Sequence, residues 1–63
     1  MPIIHIDMFE GRSPEQRSDL AAGVTAAVVR ALDCDPSSVR ILIQEYPKSH
    51  WAVGGVLVAD GNG

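Results

Sequence analysis

Met1-Pro2 is the feature of this sequence with the most direct route to chemistry. Cytosolic processing removes an initiator methionine when the next residue is as small as proline, and that step is expected here. It would leave a free secondary amine, one of the few protein groups that serve as a nitrogen base or nucleophile without a side chain. By itself a Met-Pro start is common and usually without consequence. The remaining candidates are weaker. His5 and Asp7 share one side of an alternating segment, but two ligands do not make a metal site. His50 sits beside Trp51 near a turn, with no nucleophile in a known arrangement. Cys34, the single cysteine, reads as a small apolar filler. The chain carries no GxSxG, P-loop, GxGxxG or HExxH pattern and no CxxC pair, so neither a metal nor an organic cofactor is expected.

Length and composition constrain the molecule that must hold such an amine. A chain of 63 residues buries only about 60% of the surface it exposes when unfolded. A lone core of this size rarely supplies more than about 3–5 kcal/mol. One cysteine cannot form an intrachain disulfide. Yet 46% of the residues are hydrophobic, which points to burial against other copies of the chain. With 5 basic against 8 acidic residues and a net charge of −3, a nucleic-acid footprint is absent. The longest apolar-rich stretch, Leu20 to Leu32, contains Arg30 and falls short of the about 20 residues of a membrane span. No signal-peptide pattern opens the chain. One soluble domain over residues 1–63, in the cytosol, is expected.

The elements follow from periodicity. Pro2 to Phe9 alternates, with Ile4, Ile6 and Met8 on one side and Ile3, His5 and Asp7 on the other, and predicts a strand. Proline is tolerated at its first position. Ser13-Pro14-Glu15-Gln16 is a helix start: Ser13 caps, Pro14 suits the first turn, and Gln16 completes a capping box. The helix is predicted over Pro14 to Leu32, with a stripe of Leu20, Val24, Ala27, Val28 and Ala31. Ala22, Ala26 and Val29 make the opposite side apolar too, so burial on more than one side is expected. Gly23 suggests close packing at that point. Asp35-Pro36 breaks the return loop, Asp33 to Ser38, and Val39 to Tyr46 predicts a second strand. Gly54-Gly55 between Trp51–Val53 and Val56–Val58 signals a tight hairpin, and Asp60 to Gly63 is expected to fray. The fold class is α/β (α+β): a single βαβ unit with parallel strands and a C-terminal β-hairpin. Two strands cannot cover so long a helix. Two chains edge to edge would give a four-stranded sheet with two helices on one face, leaving the other face for further chains.

In order and spacing the chain resembles the 4-oxalocrotonate (2-hydroxymuconate) tautomerase family, over residues 1 to about 58. The resemblance rests on Pro2-Ile3-Ile4-His5-Ile6, Glu10-Gly11-Arg12-Ser13, the long helix, Ser37-Ser38-Val39-Arg40 leading into the second strand, and Trp51 before Val53-Gly54-Gly55. It implies that Pro2, freed of Met1, is the catalytic base. It further implies that Arg12 binds a substrate carboxylate and that Arg40 of a neighbouring chain meets the 2-oxygen and adjacent carboxylate. Trp51 becomes an apolar wall, while Ser38 and Phe9 match positions near the pocket. A homohexamer built as a trimer of dimers is implied, with Pro2 and Arg12 from one chain and Arg40 and Trp51 from its neighbours. So are a small dicarboxylate or 2-oxo acid substrate and a place in aromatic catabolism.

The residue types suit that chemistry. Proton transfer from a dienol to a conjugated ketone needs a base with a pKa near the working pH. An apolar wall and two guanidinium groups both disfavour an ammonium form and lower its pKa. Guanidinium groups give planar paired hydrogen bonds to carboxylates. The tail Ala59-Asp60-Gly61-Asn62-Gly63 carries none of the cations found in many relatives, and Trp51 stands where phenylalanine is common. Two alternatives follow from the sequence. One is a related enzyme acting on another 2-oxo, enol or haloacrylate-type acid, for which Glu10 and Glu45 are the acids nearest to hand. The other is a non-catalytic oligomeric binding module, should Met1 be retained.

Overall fold

The computed structural model describes residues 1–61. Strand β1 (Ile3–Phe9) leads into helix α1 (Pro14–Leu32), strand β2 (Arg40–Tyr46) and a hairpin of two short strands, β3 (Ala52–Val53) and β4 (Val56–Leu57). Single 3-10 turns at Pro36–Ser38 and Lys48–His50 join them. β1 and β2 pair in parallel, from Ile3 opposite Arg40 to Phe9 opposite Tyr46, and β3 and β4 pair antiparallel. This is the βαβ unit and hairpin expected from the sequence. Both long strands begin one residue later than predicted. Pro2 nonetheless joins the ladder, because its carbonyl accepts the Arg40 N–H at 3.0 Å.

Local chemistry sets the boundaries. The Ser13 hydroxyl accepts the Gln16 N–H at 3.1 Å, and the Ser13 N–H donates to the Gln16 amide oxygen at 3.0 Å. This closes the capping box and satisfies two donors at the helix start. α1 ends on Asp33 in a left-handed conformation, φ 52°, with its N–H donating to the Val29 carbonyl at 2.9 Å. Gly54 and Gly55 both have positive φ, 60° and 87°, as the favoured two-residue hairpin turn demands. Asp60 and Gly61 both donate to the Leu57 carbonyl at 3.0 Å. The chain therefore turns there rather than fraying, and the rest of the predicted frayed tail, residues 62 and 63, lies outside the described residues.

Gly11 bridges β1 and α1 with φ 113° and has open space where a Cβ would lie. A side chain there would meet no clash and only backbone strain. We expect Gly11→Ala to destabilise the protein by about 1–3 kcal/mol, read as a shift in the denaturant midpoint without a change in slope.

The sheet packs one face against α1. Ile4, Ile6, Met8, Ile41, Ile43 and Glu45 are half-buried, while Ile3, His5, Asp7, Arg40, Leu42 and Gln44 are exposed. The helix stripe is shifted from the predicted one. Leu20, Val24 and Val28 are half-buried as expected, but Ala27 and Ala31 are exposed and Ala21 and Thr25 take their place. The half-buried arc is rotated toward Ala21 and Thr25 and runs on to Val29, which the sequence reading set on the opposite side. Gly23 meets nothing within 4 Å of a built Cβ, so the close packing expected there does not occur within one chain. No described side chain is fully buried. The radius of gyration is 14.8 Å, against about 11 Å for a compact chain of this length. Ile3 is 63% exposed, Leu42 52% and Val53 67%, so the sheet's second face leaves two large apolar side chains open among His5, Asp7, Arg40 and Gln44, and the hairpin leaves another. No described helix is long and apolar enough to cross a membrane.

Candidate active site

At the head of the sheet stand Pro2, Ser38 and Arg40. The turn before β2 organises them. Asp35 Oδ1 accepts both the Ser37 N–H and the Ser37 hydroxyl at 2.8 Å. These bonds favour the carboxylate and hold Asp35 below its ordinary pKa. The Ser38 hydroxyl donates to the Asp35 carbonyl at 2.7 Å, and Arg40 Nη1 donates to the Ser37 carbonyl at 2.7 Å. Arg40 has no carboxylate partner among the described residues, so the surface salt bridge that would explain it otherwise is not formed. Its guanidinium is anchored by one N–H, and its other N–H groups have no partner among the described residues.

At the opposite end of the strands stand Phe9, Arg12 and Trp51. The Phe9 and Trp51 rings lie 4.3 Å apart between centroids, tilted by 50°. Tyr46 meets Trp51 edge-on at 5.9 Å. These contacts fix the orientation of the indole. The Tyr46 hydroxyl donates to Asp7 Oδ1 at 2.9 Å, which raises the Tyr46 pKa. Asp7, Tyr46, His50, Trp51 and Ala52 line an open cleft, and Arg12 borders a shallow hollow with Met8, Gln16 and Leu20. Among the described residues the Arg12 guanidinium has no hydrogen-bond or ion-pair partner within the chain.

The structure brings Pro2, Ser38 and Arg40 together at one end of the strands and Phe9 and Trp51 together at the other; Arg12 follows Phe9 but borders its own hollow, apart from the Trp51 cleft. The two ends of these seven-residue strands lie about 20 Å apart at 3.3 Å per residue. One chain therefore does not present Pro2 and Arg12 to the same ligand. His5 Nε2 lies 3.6 Å from Asp7 Oδ1 on the exposed face. Among the described residues no group of three His, Cys, Asp or Glu side chains is arranged for a metal. Glu45, named above as an acid for the haloacrylate-type alternative, is paired with Arg17 at 3.3 Å. Sequence reasoning missed Lys48, whose ammonium lies 5.9 Å from the Phe9 ring centroid, within the range of a cation–π contact. It also missed Arg17. A cation in the first turn of a helix, opposed to the helix dipole, was the available signal.

A family model described as tautomerase enzyme matches residues 2–61. A "probable tautomerase" of Staphylococcus epidermidis is 43% identical over 60 residues, covering 95% of this chain and 98% of the relative. A 2-hydroxymuconate tautomerase of Stutzerimonas stutzeri is 47% identical over 55 residues, covering 87% of each. Among solved structures, a heterohexameric 4-oxalocrotonate tautomerase from Chloroflexus aurantiacus superposes with a TM-score of 0.89 at 45% identity, covering 95% of this chain and 97% of that one. The matching span takes in Pro2, Arg12, Arg40 and Trp51, and with it the chain belongs to the tautomerase family of isomerases.

Proposed function

We propose that this chain ketonises 2-hydroxymuconate or a closely similar dicarboxylate dienol, with Pro2 as its base. The observation that carries this reading is the 3.0 Å hydrogen bond between the Arg40 N–H and the Pro2 carbonyl, which seats Arg40 of the same chain beside the proline, where the resemblance implied an Arg40 from a neighbouring chain. While Met1 is attached, the Pro2 nitrogen is an amide and has no basic lone pair. Met1 is 79% exposed, so this end is open to processing.

The freed amine takes the proton from the 2-hydroxyl. The oxygen pair moves in as the 2-ketone forms, the two double bonds shift to a single one between carbons 3 and 4, and the amine returns a proton to carbon 5. Arg40 meets the 1-carboxylate and the 2-oxygen, where charge accumulates. Arg12 holds the distal carboxylate against the Trp51 wall. Since Arg12 and Trp51 lie at the far end of their own chain, they come from a neighbour. Two sheets joined edge to edge and antiparallel set the Pro2 end of one chain against the Arg12 end of the next. Three such dimers form a hexamer that covers the open sheet faces.

Intact mass and paired kinetics test this. The expected mass lacks Met1, and kcat/KM for 2-hydroxymuconate exceeds that for the monocarboxylate phenylenolpyruvate. Full activity in protein that retains Met1 would remove Pro2 from the mechanism.

A further inference from the structure

Arg17 occupies the fourth residue of α1, where a positive charge opposes the helix dipole. It is not a loose surface residue. Its Nη1 donates to the backbone carbonyl of Arg12 at 2.7 Å and reaches Glu45 Oε1, on β2, at 3.3 Å. One nitrogen therefore ties together the loop that carries Arg12, the helix and the sheet. Around it the Arg12 backbone is held on both sides: the Glu10 N–H donates to the Tyr46 carbonyl at 2.9 Å, and Ser13 is locked in the capping box. The second Glu45 oxygen, Oε2, is shielded from solvent and has no partner among the described residues. A shielded carboxylate is costly unless a cation faces it, and Arg17 is the cation present. Arg17 is thus held in place by Glu45 as well as by the loop it grips.

We infer that Arg17, seated on Glu45, is a positioning residue that aims the Arg12 guanidinium at the distal carboxylate of the substrate. This inference rests on the dicarboxylate reading of Arg12 given above. Arg17 touches no substrate. It fixes the carbonyl of the residue whose side chain does, and a guanidinium that must meet a carboxylate with paired hydrogen bonds tolerates little rotation of its backbone.

The test measures binding rather than turnover, on the assembled protein. The probes are cis,cis-muconate, a six-carbon dicarboxylate, and sorbate, the six-carbon diene acid with one carboxylate. The variant is Arg17→Gln/Glu45→Gln, which removes both charges together and leaves no orphaned ion in the fold. We expect its Kd for muconate to rise about tenfold, as for loss of one charge-assisted contact, while its Kd for sorbate stays at the wild-type value. In the otherwise native chain, Arg17→Lys keeps a donor opposite Glu45 and recovers part of the muconate affinity. An equal loss for both acids would mean a merely structural role and would overturn the inference. So would an unchanged muconate Kd. A wild-type protein that binds muconate no better than sorbate would instead remove the dicarboxylate reading itself, and this inference with it.

Discussion

In protein that has lost Met1, Pro2→Ala lowers kcat for ketonisation of 2-hydroxymuconate by about 10²-fold. That is the lower end of what a positioned general base contributes, because alanine still ends in an amine. The replacement loses the ring that fixes the nitrogen's direction and turns a secondary amine into a primary one. The hydrogen bond from Arg40 to the carbonyl of residue 2 involves only backbone atoms and survives, so assembly and thermal stability stay close to wild type. Initial rates followed by the loss of dienol absorbance, beside size-exclusion profiles of both proteins, check this. An unchanged kcat in Pro2→Ala would falsify the assignment of the base.

The second large effect comes from mixing two crippled proteins. Pro2→Ala lacks the base, and Arg12→Ala lacks the distal guanidinium. Each assembly alone is impaired at every site. Unfolded together and reassembled, they regain a share of wild-type activity. Some sites then pair the intact Pro2 end of an Arg12→Ala chain with the intact Arg12 end of a Pro2→Ala chain. The expectation follows from the spacing: the two ends are about 20 Å apart within one chain, too far for one small acid to touch both. Recovery should require joint reassembly, and adding the folded proteins together without it should give none. Mixed assemblies no more active than the average of their parents would show that each site is built within one chain.

Much of this was legible in the sequence. Strand alternation, the Ser13 to Gln16 box and Gly54-Gly55 are local signals, and each placed its element to within a residue or so. The parallel pairing followed from the helix between the strands. What the sequence did not disclose depends on distance in three dimensions. The resemblance implied that Pro2 and Arg12 of one chain share a site, but an extended strand separates them by nearly its whole length. The helix stripe was misjudged at Ala27 and Ala31, since a helix that is apolar nearly all round does not say by periodicity which side of it the sheet will meet. Arg17 and Glu45 are separated by 28 positions, and nothing in either neighbourhood announces the other. Roles for Pro2, Arg12, Arg40 and Trp51 came from family resemblance. The residue types agree with those roles but would not have singled them out.

The separation of the two ends also bears on how such a chain can diverge after gene duplication. A site that draws its amine from one polypeptide and its far guanidinium from another needs one good end from each, not two good ends from both. Two paralogues that co-assemble could therefore split the labour: one free to lose its proline while keeping Arg12, the other free to change Arg12 while keeping its proline. Selection would then act on the pair rather than on either copy.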